Sequence, residues 1–81
     1  MEVPPPQFQR PRTVAEDVYR FLRRELLSGS YPGGSWLREQ ELAKSLNVSR
    51  TPVREAIRQL AQEGLLVIEA NRGVRVHEPD L

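Results

Sequence analysis

Three arginines recur at intervals of four residues in the second half of the chain, at Arg50, Arg54 and Arg58. An α-helix places residues four apart on the same face, so these guanidinium groups would form one stripe. A guanidinium can donate two hydrogen bonds to a guanine edge or clamp a phosphate group. Ser49 and Thr51 flank the first arginine, and their hydroxyls, with the free N–H groups at a helix start, suit phosphate oxygens. This set of side chains predicts contact with a nucleic acid.

The alternative for this stripe is the solvated face of an ordinary surface helix. Arg58 lies furthest from the helix start and could pair with Glu55 or Gln62 instead of DNA. The charge distribution favours the nucleic-acid interpretation, because residues 49–76 hold five arginines against three glutamates although the net charge of the chain is only +1. A chain that is nearly neutral as a whole can therefore present one basic face to a polyanion.

A second candidate contact lies in a predicted turn, at Asn71, Arg72 and Gly73. A basic residue on a projecting turn can reach a minor groove or its phosphates. The alternative is an ordinary solvent-exposed turn residue. Arg38 and Lys44 could contact the DNA backbone from a neighbouring helix, and a plain surface role is the alternative for both.

The composition excludes several classes of protein. The chain has 81 residues, 38% of them hydrophobic, which is enough for one domain with one small core. It has no cysteine, so neither a disulfide nor a thiolate metal site can form, and this fits a reducing cytoplasm. The longest apolar run, residues 65–68, is too short to span a bilayer. No arrangement typical of an enzyme or a cofactor site occurs, and the single histidine, His77, has no predicted catalytic partner.

The N-terminal part of the chain predicts an arm followed by a helix over about residues 13–28. Residues 1–12 contain four prolines and little apolar periodicity, which predicts a flexible, proline-rich arm. Thr13 and Glu16 have the spacing of a capping box at the helix start. Gly29 suits the helix end because glycine readily adopts the left-handed conformation of a C-terminal cap.

Two more helices and a hairpin are predicted after this first helix. The second helix covers about residues 39–46, and the third begins after Ser49, which can act as its N-cap. Asn47 between them tolerates the left-handed conformation that a tight turn often needs. Strands are predicted at residues 65–69 and 74–77, joined by a turn.

This order of elements predicts a mainly α domain with a small β-hairpin over residues 13–77. The second and third helices are joined by only about three residues, which forces the sharp crossing of a helix-turn-helix unit. The later helix of such a unit places its N-terminal residues against base edges in the major groove. The predicted fold class is therefore a winged helix-turn-helix, with three helices and a two-stranded wing. Tyr31 and Trp36 are expected in the core or as loop anchors. The other predicted core residues are Val18, Phe21, Leu22, Leu42, Leu46, Val53, Ile57, Leu60 and Leu66.

Several stretches resemble the N-terminal domain of GntR-type bacterial transcription regulators. Residues 47–57, Asn-Val-Ser-Arg-Thr-Pro-Val-Arg-Glu-Ala-Ile, resemble the helix-turn-helix signature of that family. Residues 31–37 resemble its link from the first to the second helix, and residues 63–66 and 71–74 resemble its wing. Within the family, the run Arg-Thr-Pro-Val-Arg-Glu and the turn Asn-Arg-Gly suit the FadR-like group best.

The resemblance implies a sequence-specific regulator of transcription, a repressor by expectation, that binds an inverted-repeat operator in double-stranded DNA. It implies that Arg50 and Arg54 recognise the operator, that Thr51 helps to hold a phosphate, and that the wing tip enters the minor groove. Two positions depart from the family pattern. Asn47 stands where glycine is usual, and Gln40 stands where some members carry an arginine that contacts DNA.

The resemblance further implies a second domain. Members of the FadR-like group carry an all-helical effector-binding domain that dimerises and binds a small carboxylate, sometimes with a metal. We therefore expect residues 78–81 to be a tail leading to such a domain, the full-length protein to be a homodimer, and this chain to hold no cofactor itself. A cytoplasmic, nucleoid-associated protein with no membrane partner is expected. The competing hypothesis is a winged helix whose arginines bind an acidic protein, and an enzyme is a more distant alternative.

Overall fold

The computed structural model describes residues 13–78. The predicted arm, residues 1–12, and residues 79–81 of the predicted tail lie outside the described residues. The elements follow the predicted order with one addition, a short strand before the second helix. In chain order they are α1 Val14–Leu27, β1 Trp36–Leu37, α2 Glu39–Leu46, α3 Arg50–Gln62, β2 Leu66–Glu69 and β3 Gly73–Val76.

The first helix, α1, begins with the predicted capping box. Thr13 Oγ1 accepts a hydrogen bond from the backbone N–H of Glu16 at 3.1 Å, and the Thr13 N–H donates to Glu16 Oε1 at 2.7 Å. These bonds satisfy N–H groups that have no partner at a helix start. The helix ends at Leu27 with Ser28 as its C-cap, and Gly29 follows in the predicted left-handed conformation, with a φ of +83°. The apolar face of α1 packs against α3.

Helices α2 and α3 are joined by a tight turn at Asn47. This residue has φ 57° and ψ 48°, which confirms the predicted left-handed asparagine. Ser49 occupies the N-cap position of α3, but its hydroxyl makes no capping hydrogen bond, so the predicted side-chain cap is wrong. The physical reason is Pro52, which stands three positions later and lacks the N–H group that an N-cap oxygen commonly accepts from.

The three strands form one antiparallel sheet in the order β1-β3-β2. The predicted hairpin is present, with Glu69 of β2 opposite Gly73 of β3. β1 pairs with the other edge of β3 and places Trp36 opposite Arg75. Two residues are too few to show an alternating pattern, which is why the sequence did not predict β1.

The core lies between α1, α2, α3 and the inner face of the sheet. Most of the predicted core residues are buried, and Phe21 and Leu46 are partly buried at its margin. Tyr31 packs against the core as expected, whereas Trp36 is 44% exposed because the pairing of β1 turns it to the outer face of the sheet. Buried residues outside the set of predicted core residues are Leu37, Ala43, Ala56, Val74 and Val76.

Candidate nucleic-acid interface

The polar face of α3 is exposed because the opposite face forms part of the core. The residues of α3 that are buried are Val53, Ala56, Ile57 and Leu60. The predicted contact residues on its exposed side are Ser49, Arg50, Thr51, Arg54 and Arg58. The structure therefore brings the predicted contact residues of α3 together on one surface.

A carboxylate from α2 holds the first two arginines of this surface. Arg54 donates to Glu39 from Nε at 3.1 Å and from Nη2 at 2.8 Å. Arg50 donates to Glu39 Oε1 from Nη2 at 3.3 Å and from Nε at 3.4 Å. The side chain of Glu39 is only 20% exposed, whereas those of Arg50 and Arg54 are 56% and 48% exposed. Glu39 thus lies beneath two guanidinium groups whose remaining N–H groups are accessible.

This arrangement changes the protonation equilibria of its members. The hydrogen bond from Arg54 is the main reason that the pKa of Glu39 lies below its ordinary value, and Arg50 adds to the effect. The hydrogen bond to Glu39 in turn raises the pKa of Arg54. Both shifts favour the charged forms, as expected for groups that form ion pairs.

Sequence reasoning did not identify Glu39 as part of the site. An acidic residue in the first turn of a helix is adequately explained by the helix dipole, and nothing local links it to arginines that follow 11 and 15 positions later. Only the predicted fold could have indicated this contact. The crossing of α2 and α3 brings Glu39, at the start of α2, near the arginines in the first part of α3.

Two other predicted contact residues lie at the margin of this surface. Arg38 occupies the N-cap position of α2 and makes a long ion pair with Glu41 at 3.9 Å, with both side chains more than 70% exposed. Arg58 is exposed one turn beyond Arg54, and within residues 13–78 it makes neither of the two contacts considered above, with Glu55 or with Gln62.

The wing consists of β2, β3 and the turn of residues 70–72 between them. The Arg72 N–H donates to the Glu69 carbonyl at 3.0 Å, and Asn71 has a φ of 62°, as the third position of a type II turn requires. The Arg72 side chain is 70% exposed. Its guanidinium carbon lies 5.7 Å from the centre of the Trp36 ring. Asn71, Arg72 and Gly73 are therefore at the tip of the hairpin, as predicted.

An open groove of about 660 Å³ separates the wing from the helix-turn-helix. Its wing side includes Arg72 and Gly73, and its helical side includes Arg38, Lys44 and Arg50. The groove therefore brings together basic side chains from two separate predicted sites, and Glu39 and Glu41 line it as well.

A second open pocket, of about 730 Å³, lies at the opposite end of α3. There the Tyr19 hydroxyl donates to both carboxylate oxygens of Glu63, at 2.9 and 2.7 Å. This hydrogen bond is the main reason that the pKa of Tyr19 is raised. The bond ties α1 to the C-terminal cap of α3, and we assign it a structural role.

Other kinds of site are not formed by the part of the chain that the structure describes. Within residues 13–78, no group of three or more His, Cys, Asp or Glu side chains could hold a metal ion. In the same region no helix is long and apolar enough to cross a membrane. His77 is exposed, as expected for a histidine near the end of the hairpin.

Comparison with known proteins adds independent information. The model of the family of bacterial regulatory proteins named gntR matches residues 14–76. A probable D-xylose utilization operon transcriptional repressor of Paenarthrobacter nicotinovorans is 46% identical over 66 residues, which are 82% of this chain and 29% of that protein. The transcriptional repressor RspR of Escherichia coli K12 is 39% identical over 72 residues, 89% of this chain and 32% of that protein. The chain thus spans about a third of the length of these relatives.

Solved structures give the same result for the fold. A putative transcriptional regulator GntR from Rhodococcus sp. RHA1 superimposes with a TM-score of 0.78 at 36% identity, covering 82% of this chain and 32% of that one. A GntR family member from Pseudomonas syringae pv. tomato DC3000 superimposes with a TM-score of 0.74 at 40% identity, covering 96% of this chain and 31% of that one. The predicted winged helix-turn-helix fold is confirmed.

Proposed function

Because the chain belongs to the GntR family of bacterial regulatory proteins, it is the DNA-binding domain of a transcriptional regulator, and we propose how its residues contact an operator. The prediction of a DNA-binding regulator rather than an enzyme is confirmed by the family match. In the proposed complex, the start of α3 enters the major groove of double-stranded DNA and the wing tip reaches the adjacent minor groove. The phosphate backbone between these two grooves lies along the channel between wing and helices.

The observation that carries the proposal is that Arg50 of the helix-turn-helix and Arg72 of the wing line the same groove. Arg50 pairs with Glu39 and Arg72 lies beside Trp36, but the side chains of both arginines are more than half exposed, so a DNA backbone in the groove can contact both of them. Arg38 and Lys44 line the same groove, together with Glu41, which pairs with Arg38. Asn71 and Gly73 at the tip provide the small, left-handed turn that lets the wing approach DNA closely.

Base recognition is assigned to the two arginines above Glu39. Their accessible N–H groups can donate to the two acceptors of a guanine edge, which no other base presents in that geometry in the major groove. Ser49 and Thr51 at the helix start, together with Arg58 one turn further along, are assigned to phosphate oxygens. The Ser49 hydroxyl suits this role because it makes no capping bond within α3.

The test begins with selection of the operator from a pool of randomised duplexes. Arg54→Ala should then cost roughly 1–3 kcal/mol on the selected operator and little on random duplex, and it should relax the preference at one base pair in each half-site. Arg72→Ala should weaken the operator and random duplex alike and lower the salt slope by about one unit. Arg24→Ala, which removes an arginine from the pocket beside Tyr19, is the matched control and should leave both unchanged.

Two outcomes would contradict the proposal. Binding of duplex that does not depend on the salt concentration would contradict the phosphate contacts. The competing hypothesis of an acidic protein partner would gain support only if such a protein then bound to Arg50, Arg54 and Arg58. If Arg54→Ala weakened all duplexes equally while Arg72→Ala changed the base preference, the assignment of α3 to the major groove would be wrong.

The properties of the whole regulator are also proposals, since this chain spans only 29–32% of its curated relatives. We propose membership of the FadR-like group, on the strength of the runs Arg-Thr-Pro-Val-Arg-Glu and Asn-Arg-Gly. We also propose a full-length cytoplasmic homodimer on an inverted repeat, and a separate domain that binds a small carboxylate effector. A metal that accompanies such an effector is likewise assigned to that separate domain by the resemblance to the FadR-like group.

A further inference from the structure

Trp36 occupies an unexpected place for the largest side chain of the domain. Its neighbour in β1, Leu37, points into the core and is 7% exposed, whereas Trp36 lies on the outer face of the sheet and is 44% exposed. An indole left in water forgoes the stabilisation that burial would give. The contacts that Trp36 makes on the outer face therefore indicate a functional role for this side chain.

Trp36 makes these contacts with the tip of the wing. A Cβ atom on Gly73 would lie 3.7 Å from Trp36 Cε3, so the indole covers the backbone where the hairpin turn ends. The guanidinium carbon of Arg72 lies 5.7 Å from the ring centre, within the range of a cation–π interaction. Trp36 thus supports both the turn and the charged side chain that the turn carries.

The other candidate anchor for Arg72 is already occupied. Glu69 Oε2 accepts a hydrogen bond from Arg75 Nε at 2.8 Å and lies 2.6 Å from Arg75 Nη2 in the same ion pair. Arg72 approaches the second oxygen of the same carboxylate only to 3.8 Å, too far for a hydrogen bond. The carboxylate therefore contributes only a weak, screened attraction, and the indole is the second group that Arg72 contacts.

The geometry points to Trp36 as a positioning residue for DNA binding by the wing. It rests on the proposed function, because it assumes that Arg72 contacts DNA. A guanidinium that stacks on a ring keeps its N–H groups free in its own plane, so the same group can contact the indole and an acceptor in the groove. Holding a long side chain in place before binding reduces the rotamer entropy that the contact would otherwise cost. DNA binding by the wing therefore depends on Trp36, a residue of β1 that lies outside the hairpin.

The test is a double-mutant cycle with a short mixed-sequence duplex at low salt. Trp36→Leu should weaken binding by about two- to fivefold, the ratio that corresponds to an exposed cation–π contact. The same change should have a smaller effect in a protein that already carries Arg72→Ala, because the guanidinium that Trp36 positions is then absent and only its support of the turn remains. Trp36→Phe should recover part of the loss, since phenylalanine keeps an aromatic face and leucine keeps only apolar bulk. Ile68→Ala is the matched control, because Ile68 is 51% exposed on the opposite face of the same sheet.

A spectroscopic measurement accompanies the cycle. Trp36 is the only tryptophan in the chain, and it lines the groove, so its emission should change when duplex is added to the wild-type protein. The change should be smaller in the Arg72→Ala variant. An emission that stays constant at saturating duplex would overturn the proposal.

The possible failures are distinguishable. Equal weakening by Trp36→Leu in both backgrounds, or no recovery with Trp36→Phe, would overturn the positioning role while leaving the proposed function intact. Failure of the proposed function has another signature, because the wild-type protein would then bind no duplex in a salt-dependent manner and Arg72→Ala would change nothing.

Discussion

At the scale of single residues, Glu39 limits what Arg54 can do. A free arginine could present its Nε and one terminal nitrogen to a guanine, but in this domain those two nitrogens donate to Glu39. In the proposed complex, Arg54 therefore contacts the base with the outer N–H groups of its guanidinium, which the carboxylate holds in a fixed orientation. The negative charge of Glu39 would reduce the electrostatic attraction to DNA, but it gives the arginine one defined direction.

The Glu39 ion pairs predict a pH dependence of stability. The folded-state pKa of Glu39 is lowered, chiefly by Arg54. Its stabilising contribution is therefore complete above the unfolded value, about 4.3, and is lost as the pH falls through the lower folded value. Glu39→Gln should cost about 0.5–1 kcal/mol at neutral pH, and its difference from wild type should shrink below about pH 4. Urea unfolding of both proteins, from neutral pH to below about pH 4, measures the cost of the substitution and its change with pH.

Glu41→Gln is the matched control for this experiment. Glu41 lies on the same helix, and its pairing with Arg38 at 3.9 Å joins two largely exposed side chains. Such a pair contributes little, so the variant should unfold like the wild type at neutral pH. A Glu39→Gln variant as stable as Glu41→Gln at neutral pH would mean that the observed ion pairs make no net contribution.

At the scale of elements, the sequence predicted what depends on local signals. The capping box of α1, the left-handed Gly29 after it and the left-handed Asn47 are each encoded within a few neighbouring residues, and all three are present. The strand β1, the exposure of Trp36 and the Glu39 ion pairs were not predicted, because each depends on which distant segment lies alongside. The predicted contact residues of α3 do lie on one surface, and those of the wing do lie at the hairpin tip, because the helix-turn-helix and the hairpin alone fix these positions.

The left-handed turn between α2 and α3 predicts a difference between two substitutions. Asn47→Ala should lower the free energy of unfolding by about 1 kcal/mol, because a Cβ without a polar group is strained at positive φ. Asn47→Gly should leave it unchanged or raise it slightly, because glycine adopts this conformation without strain. Ser45→Ala, at an exposed position within α2, is the control and should be well tolerated. Equal unfolding midpoints for the alanine and glycine variants would contradict the left-handed turn.

At the scale of the whole molecule, one small core holds the helices and the sheet together. Leu60 is fully buried where α3 meets α1 and the sheet. A core of this size gives the domain a small free energy of unfolding, so the loss of one large side chain affects every element, including the wing.

Leu60→Ala should therefore cost roughly 2–5 kcal/mol, from lost burial and from the cavity that remains. Thermal unfolding followed by circular dichroism measures the loss. Leu60→Met, which conserves volume, should retain most of the stability and serves if the alanine variant does not fold. Leu27→Ala removes a side chain that is 57% exposed and should change the melting temperature little. A Leu60→Ala variant that melts like Leu27→Ala would show that Leu60 is not a core residue.

The exposed apolar residues also predict the assembly state of the 81-residue chain. The large ones within residues 13–78 are Val14, Leu27, Trp36 and Ile68. Val14 and Leu27 lie at opposite ends of α1, about 20 Å apart, and Trp36 and Ile68 lie on opposite faces of the sheet. No single patch of the described surface combines them into the apolar centre that a stable dimer interface needs.

We therefore expect this chain to be mainly monomeric and to bind the two halves of an inverted repeat weakly and independently. Sedimentation at micromolar concentration should give the monomer mass, and titration of a duplex with one or two half-sites should give the same affinity per half-site. A longer protein that joins two such domains should bind the inverted repeat more tightly, because tethering raises the effective concentration of the second domain. The matched control is a duplex in which the spacing of the half-sites is changed, which should weaken the tethered protein and leave the 81-residue chain unaffected. A tight dimer of the chain in free solution would contradict this reasoning and would locate an interface on the surface of residues 13–78 or in the arm.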